Sequence, residues 1–180
     1  EFEKIGTLES FNTDGLRSVL KTIDIPNMKE RTLRYPGHIE YMTVLRESGF
    51  FNYEPVKVSH HKIRPIDFTA KLLFPLWKLK EGEEDFTVMR ITITGKEKNR
   101  KVKYVYNLLD HYDKINNITS MARTTGYTCT SAARLFLNGQ IKIKGVCPPE
   151  YLGKYPRIYN GILQDMKDRN IEYQCIKQNI

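Results

Sequence analysis

The stretch DFTVMRITITGKEKNRKVKYVYNLLDHYD, Asp85 to Asp113, decides the fold. It holds two alternating or β-branched runs on either side of a charged loop that includes Gly95, the pattern of an antiparallel hairpin. On its first arm Val88, Arg90, Thr92 and Thr94 share one face, and Met89, Ile91 and Ile93 share the other, because side chains alternate along a strand. One face is therefore expected to be core.

Working outward, KIGTLESFNTD reads as a short strand entering a turn, and GLRSVLKTI as a helix capped by Thr13 or Asp14, with Leu16, Val19, Leu20 and Ile23 at helical spacing. MKERTLRY predicts a strand stopped by Pro36-Gly37. Ile39, Met42, Val44, Leu45 and Phe50 then mark a helix with Gly49 near its end. NYEPVKVSHHKIRP is read as a connector. IDFTAKLLFPLWKLK is read as a helix that Pro75 should kink or end, since proline lacks an amide hydrogen.

Downstream of the hairpin, MARTTGYTCTSAARLFLNGQI predicts a long helix stopped by Asn138-Gly139. Its RTTGYTCT half is poor helix material, so a tertiary reason for those residues is expected. A Pro-Pro turn, a helix from about Pro156 to Arg169 and a terminal strand IEYQCI complete the chain. The expected architecture is α+β: a mostly antiparallel or mixed sheet covered by helices on one face, in a single domain over residues 1–180.

Composition narrows the functional classes. The 180 residues are 40% apolar with a net charge of +8, which argues against disorder and raises anionic partners. The lysines are dispersed, however, and the densest cluster, KEKNRKVK, falls at the hairpin tip, so a solvated surface is favoured over nucleic-acid binding. The apolar stretch LLFPLWKL is too short to span a bilayer, and no membrane association is expected. Three cysteines without Cys-x-x-Cys spacing favour reduced thiols in the cytoplasm, with neither a metal site nor disulfides. The opening EFEKIGTLES lacks the pattern of a signal peptide and reads as the start of an excised piece.

No glycine-rich dinucleotide or phosphate loop, zinc-protease motif or nucleophile elbow occurs. Polar clusters instead sit at element ends: FNTDG with Asn12, Thr13 and Asp14; LRYPGH with Arg34, Tyr35 and His38; ARTTGYT with Arg123, Thr124, Thr125, Tyr127 and Thr128. An arginine near a helix start adds a bidentate fork to a terminus that already attracts anions, a combination suited to a carboxylate. The adjacent His60 and His61 diverge in an extended chain and are read as surface.

In order and spacing, TLESFNTDGLRSVL, MKERTLRYPGHIEYMTVLRESGFF, MARTTGYTCTSAARLFLNGQI and KGVCPPEYLG resemble the C-terminal domain of the saccharopine dehydrogenase-like family, including lysine 6-dehydrogenases. The resemblance implies the substrate-binding and dimerising half of a larger oxidoreductase, whose upstream Rossmann domain holds most of the NAD or NADP. The implied reaction is hydride transfer at a carbon–nitrogen bond of an amino acid of the lysine or saccharopine class, in a homodimer. It further implies that Arg34 and Arg123 clamp a substrate carboxylate and that Asn12, Asp14, Tyr35, Thr124 and Tyr127 line the cleft. His38 is then the local candidate for proton transfer, because an imidazole can both take up and release a proton in imine chemistry. Without the dinucleotide half the isolated chain is expected to be inactive. The competing reading is a non-catalytic basic binding or dimerisation module.

Overall fold

A computed structural model describes residues 1–180. The long hairpin forms as β5, Phe86–Glu97, and β6, Arg100–His111, in a register that sets Met89 opposite Leu108 and Thr87 opposite Asp110. Its connection is two residues long. Lys98 and Asn99 both take positive φ, 48° and 62°, the left-handed pair that matches the twist of a tight hairpin. Gly95, expected in the loop, lies inside β5 opposite Val102.

The chain divides into two compact units, Glu1–Glu81 and Gly82–Ile180. In the second, β7 (Gln174–Asn179) pairs antiparallel with β6, giving a three-stranded sheet in the order β5-β6-β7. This strand begins later than IEYQCI implied: Ile171 is almost fully buried instead of paired, so the apolar residue serves the core and the strand starts after it. Two helices cover one sheet face, α4 (Ser120–Leu137) and α6 (Pro156–Lys167), with the single turn α5 (Pro149–Leu152) before α6. The core joins Leu108, Met166 and Ile171 with the half-buried Met89, Tyr127, Ile162 and Tyr173. The expected α+β arrangement, an antiparallel sheet with helices on one face, is therefore the one observed.

Local signals account for the ends of α4. Thr119 accepts the Ala122 amide at 3.2 Å as N-cap. At the other end Gly139, with φ 67°, lets its own amide reach the Phe136 carbonyl and the Gln140 amide reach the Leu135 carbonyl. Threonines in the weak half bond back to carbonyls within the helix, Thr124 to Ser120 at 2.9 Å and Thr128 to Thr124 at 2.7 Å. The tertiary anchors of this half are Ser120 and Arg123, both buried.

The first unit is built from two small ribbons and three helices. β1 (Glu9–Asn12) pairs antiparallel with β2 (Arg31–Arg34). Between them α1 is only the turn Val19–Thr22, shorter than its spacing promised because Arg17 adopts a positive φ of 47°. Helix α2, His38–Glu47, ends on Gly49 as predicted. The stretch read as a connector contains a hairpin of two three-residue strands, β3 (Val56–Val58) and β4 (His61–Ile63). Such short strands leave too little alternation to recognise. Helix α3, Pro65–Trp77, carries Pro75 in its last turn and continues two residues beyond it. The only fully buried side chain in this unit is Thr69, whose hydroxyl donates to the Phe50 carbonyl at 2.9 Å.

Candidate functional site

The LRYPGH junction is shaped by its turn. Pro36 and Gly37 occupy the corner, the His38 amide closes it on the Tyr35 carbonyl at 3.3 Å, and Gly37 takes φ 98°, which a side chain would strain. This turn swings β2 into α2 and brings Arg34, Tyr35 and His38 to one end of the β1–β2 ribbon. Arg34 is exposed, with one guanidinium nitrogen donating to the Leu33 carbonyl at 2.8 Å. Tyr35 is 60% exposed. The His38 ring stacks on Phe11 at 5.9 Å with 13° between planes.

The N-terminus of α2, where a ligand carboxylate could bind, already holds a carboxylate of the chain itself. Glu9, paired across the ribbon with Arg34, accepts the Gly37 amide at 3.2 Å and the Ile39 amide at 2.5 Å. These are charge-assisted bonds at the positive end of the helix dipole. Sequence reading missed Glu9 because its partners lie about thirty residues downstream, and nothing local marks a glutamate as a distant cap.

Asn12 and Asp14 sit at the far end of the same ribbon. Asn12 lies opposite Arg31, three residues from the Glu9–Arg34 pair, or roughly 10 Å along the strand. Its side chain falls on the face opposite Phe11 by simple alternation. Asp14 caps no helix; it is 83% exposed and faces Arg17 at 3.3 Å. The loop around it is tied down by Glu30, which accepts from the Thr13 hydroxyl and from the Gly15 amide.

Arg123 belongs to the second unit and is 7% exposed. Its fork is spent on the protein: Nε and Nη2 donate to Asp110, Nη1 donates to Asp113 at 2.8 Å, and Nη2 also reaches the Arg169 carbonyl at 2.9 Å. Tyr127 lies beneath both arginines, with the guanidinium carbons of Arg123 and Arg169 at 5.9 and 5.4 Å from its ring centre. Burial opposes the Arg123 charge, but the hydrogen bond and charge of Asp110 outweigh it and raise its pKa. Asp113 is held below the usual carboxylate range, mainly by hydrogen bonds from the Asn116 side chain and backbone, with Arg123 adding to them. Where the sequence offered Arg123 as a carboxylate clamp, the carboxylates it grips are Asp110 and Asp113.

The network extends to the start of α4. Ser120 donates to Asp110 at 2.7 Å, and the Ser120 and Met121 amides donate to Asp85 at 2.6 and 3.0 Å. A signal for Asp110 was present in the hairpin. It shares its face with Met89 and Leu108, and a carboxylate in core phase demands a cation. Thr124 and Tyr127 follow Arg123 on α4, half-buried.

Two hollows border α6. One of about 310 Å³ is lined by Asn160, Leu163, Gln164, Lys167, Ile171, Glu172 and Tyr173. The other, about 150 Å³, lies between Thr128, Leu152, Tyr159, Ile162, Met166 and Tyr173. Nearby, the Tyr106 phenol is pushed up to about 12 by its hydrogen bond with Cys175, by burial and by Tyr159. No group of three His, Cys, Asp or Glu side chains could hold a metal ion, and His60 and His61 lie on the small β3–β4 hairpin. No helix is long and apolar enough to cross a membrane.

Comparison with known proteins fits these elements to one family. The saccharopine dehydrogenase C-terminal domain matches residues 1–171. Mitochondrial alpha-aminoadipic semialdehyde synthase of Bos taurus is 29% identical over 114 residues, which cover 60% of this chain and 11% of that protein. The chain thus spans about a tenth of the length of this relative. With the match running through both units and every polar junction described above, the chain belongs to the saccharopine dehydrogenase C-terminal domain family.

Proposed function

We propose that this chain is the substrate-binding and dimerising domain of an NAD(P)-dependent oxidoreductase that acts on the carbon–nitrogen bond of an amino acid of the lysine or saccharopine class. The observation that carries this reading is the family match along residues 1–171. The 180 residues act together as one functional domain of a longer, homodimeric protein, and without the remainder they are inactive.

The dinucleotide does not fit the residues present. Every strand pair is antiparallel, so there is no βαβ crevice, and the chain lacks a glycine-rich turn between strand and helix. NAD or NADP is accordingly assigned to another part of the protein.

In the first unit, Arg34 takes the substrate carboxylate, since its guanidinium stands exposed at the turn, and Tyr35 lines the same turn. His38, braced against Phe11, is the proton carrier, and Asn12 and Asp14 line the outer ribbon. In the second unit, Thr124 and Tyr127 remain the substrate candidates on α4, while Arg123 holds that helix in position. The three free thiols support a reducing compartment, either the cytoplasm or the mitochondrial setting named for the bovine relative.

The test is full-length protein supplied with lysine, saccharopine and related amino acids, with NAD or NADP, followed by nicotinamide absorbance. Reduction with one of these substrates supports the reading. Its absence across the panel rejects the activity.

A further inference from the structure

The larger of the two hollows beside α6 is built on one face of that helix. Asn160, Leu163, Gln164 and Lys167 follow one another at the three- and four-residue steps of a single helical face, and they border a space of about 310 Å³. That is the small end of the range ligand pockets occupy, roughly 300–1,000 Å³. Ile171, sealed at 1% exposure, gives it an apolar wall together with the half-buried Leu163 and Tyr173. Two charged side chains line it, one of each sign. Lys167 is the last residue of α6, Glu172 lies beyond the turn that follows, and their Nζ and Oε1 stand 2.9 Å apart. At 60% and 59% exposure such a pair contributes little to stability, so a ligand can take over both partners at small cost.

We propose that this hollow is a site for a free α-amino acid with an uncharged, apolar side chain, a class apart from lysine and saccharopine. The ligand's carboxylate pairs with Lys167, its ammonium pairs with Glu172, and its side chain lies against Leu163, Ile171 and the ring of Tyr173. Charge sets the class. A simple anion on Lys167 would set like charge against Glu172, and a simple cation on Glu172 would do the same to Lys167, whereas a zwitterion satisfies both. The lining holds no second charged partner for a lysine ε-ammonium or for the additional carboxylates of saccharopine, but it does hold apolar surface for a leucine-sized group. A ligand so placed spans the turn that closes α6, where Asn170 takes φ 60° and the Ile171 amide returns to the Met166 carbonyl at 3.0 Å. The Arg169 carbonyl that receives Arg123 belongs to the same turn, so the ligand also braces the support of α4.

The test is methyl NMR of the full-length protein, read at the Ile171 side chain, with leucine as the first probe. Leucine should shift that signal saturably, with a dissociation constant on the order of millimolar, as suits ion pairing at an open surface. Isoamylamine, which lacks the carboxylate, the 2-hydroxy analogue of leucine, which lacks the ammonium, and lysine should each bind there at least roughly tenfold more weakly. Lys167→Met and Glu172→Gln should each weaken leucine roughly tenfold, while melting without ligand stays within about 1 °C of the parent. The absence of a saturable shift with leucine overturns the site. Equal binding of the amine and the hydroxy acid, or unchanged affinity in both variants, overturns the zwitterion pairing, and lysine matching leucine overturns the apolar class. Should either variant fail to fold, the ligand series on the parent protein decides. Nicotinamide absorbance plays no part in this readout, so its failure and the failure of the oxidoreductase reading are separable.

Discussion

The two units solve the problem of burial in opposite ways. Gly82–Ile180 seals six apolar side chains, among them Leu108, Met166 and Ile171, and closes an ionic network over them. Glu1–Glu81 seals only Thr69, and leaves Phe68, Leu72, Phe74, Leu76 and Trp77 of a single helix largely in solvent. The same contrast holds for arginines in the two polar junctions. Arg123 is buried and saturated, whereas Arg34 is exposed with donors to spare. The second unit carries a sealed core; the first leaves most of its apolar and polar side chains open to solvent.

The sharpest way to break this contrast is to remove each arginine. Arg123→Met leaves Asp110 and Asp113 without their cation, and the melting transition of the second unit should lose about 3–5 kcal/mol. Arg34→Ala should leave melting unchanged while raising KM for the amino acid roughly tenfold in the full-length enzyme. If Arg123→Met is instead silent in melting and lowers only activity, the two arginines have exchanged roles.

Core truncation comes next. Met166→Ala should cost about 3 kcal/mol in denaturant unfolding, because it leaves a cavity under Leu108 and Ile171. Leu72→Ala in the first unit should cost little in the same unfolding measurement, since its side chain is already half exposed. Caps give smaller effects. Asp85→Ala frees the Ser120 and Met121 amides and should cost about 1–2 kcal/mol, and Glu9→Ala frees those of Gly37 and Ile39 at about 1 kcal/mol, both read by thermal melting.

The smallest effect is the pH dependence, and it singles out the second unit. Burial pushes Asp165 up, but the Ser131 hydrogen bond and the charges of Arg169 and Arg134 outweigh it and hold its pKa down. Asp113 is held down as well. A carboxylate with a depressed folded pKa stabilises above its unfolded value and loses that contribution as pH falls through the folded one. Stability of the second unit from these groups should therefore stay level from neutrality to about pH 4 and decline only below it, as urea titrations at several pH values would show. Loss between pH 7 and pH 5 would contradict the assignment.

Legibility in the sequence followed the same division. The β5–β6 hairpin was readable because twelve-residue strands leave long alternation, and α4 because Asn138-Gly139 closes it. The tight turn at Lys98-Asn99 was hidden by charge on both sides, and β3–β4 by strands of three residues. The polar junctions were visible as residue clusters, but not their partners. Glu9, Glu30 and Asp85 act over separations of fifteen to thirty-six residues, and a carboxylate that caps a distant amide leaves no local spacing to detect. Asp110 went unread as well, although its place on the apolar side of a strand was a local signal for a buried cation.

The central position of β6 has a consequence for synthesis on the ribosome. Leu108 emerges roughly sixty residues before Met166 and Ile171, and β6 waits about equally long for its neighbour β7. Through that interval the hairpin presents Met89, Leu108 and Tyr106 on a face with nothing over it, a nascent species open to chaperones and to mispairing along the free edge of β6. The last residues of the second unit to be translated are thus the ones that commit it to fold.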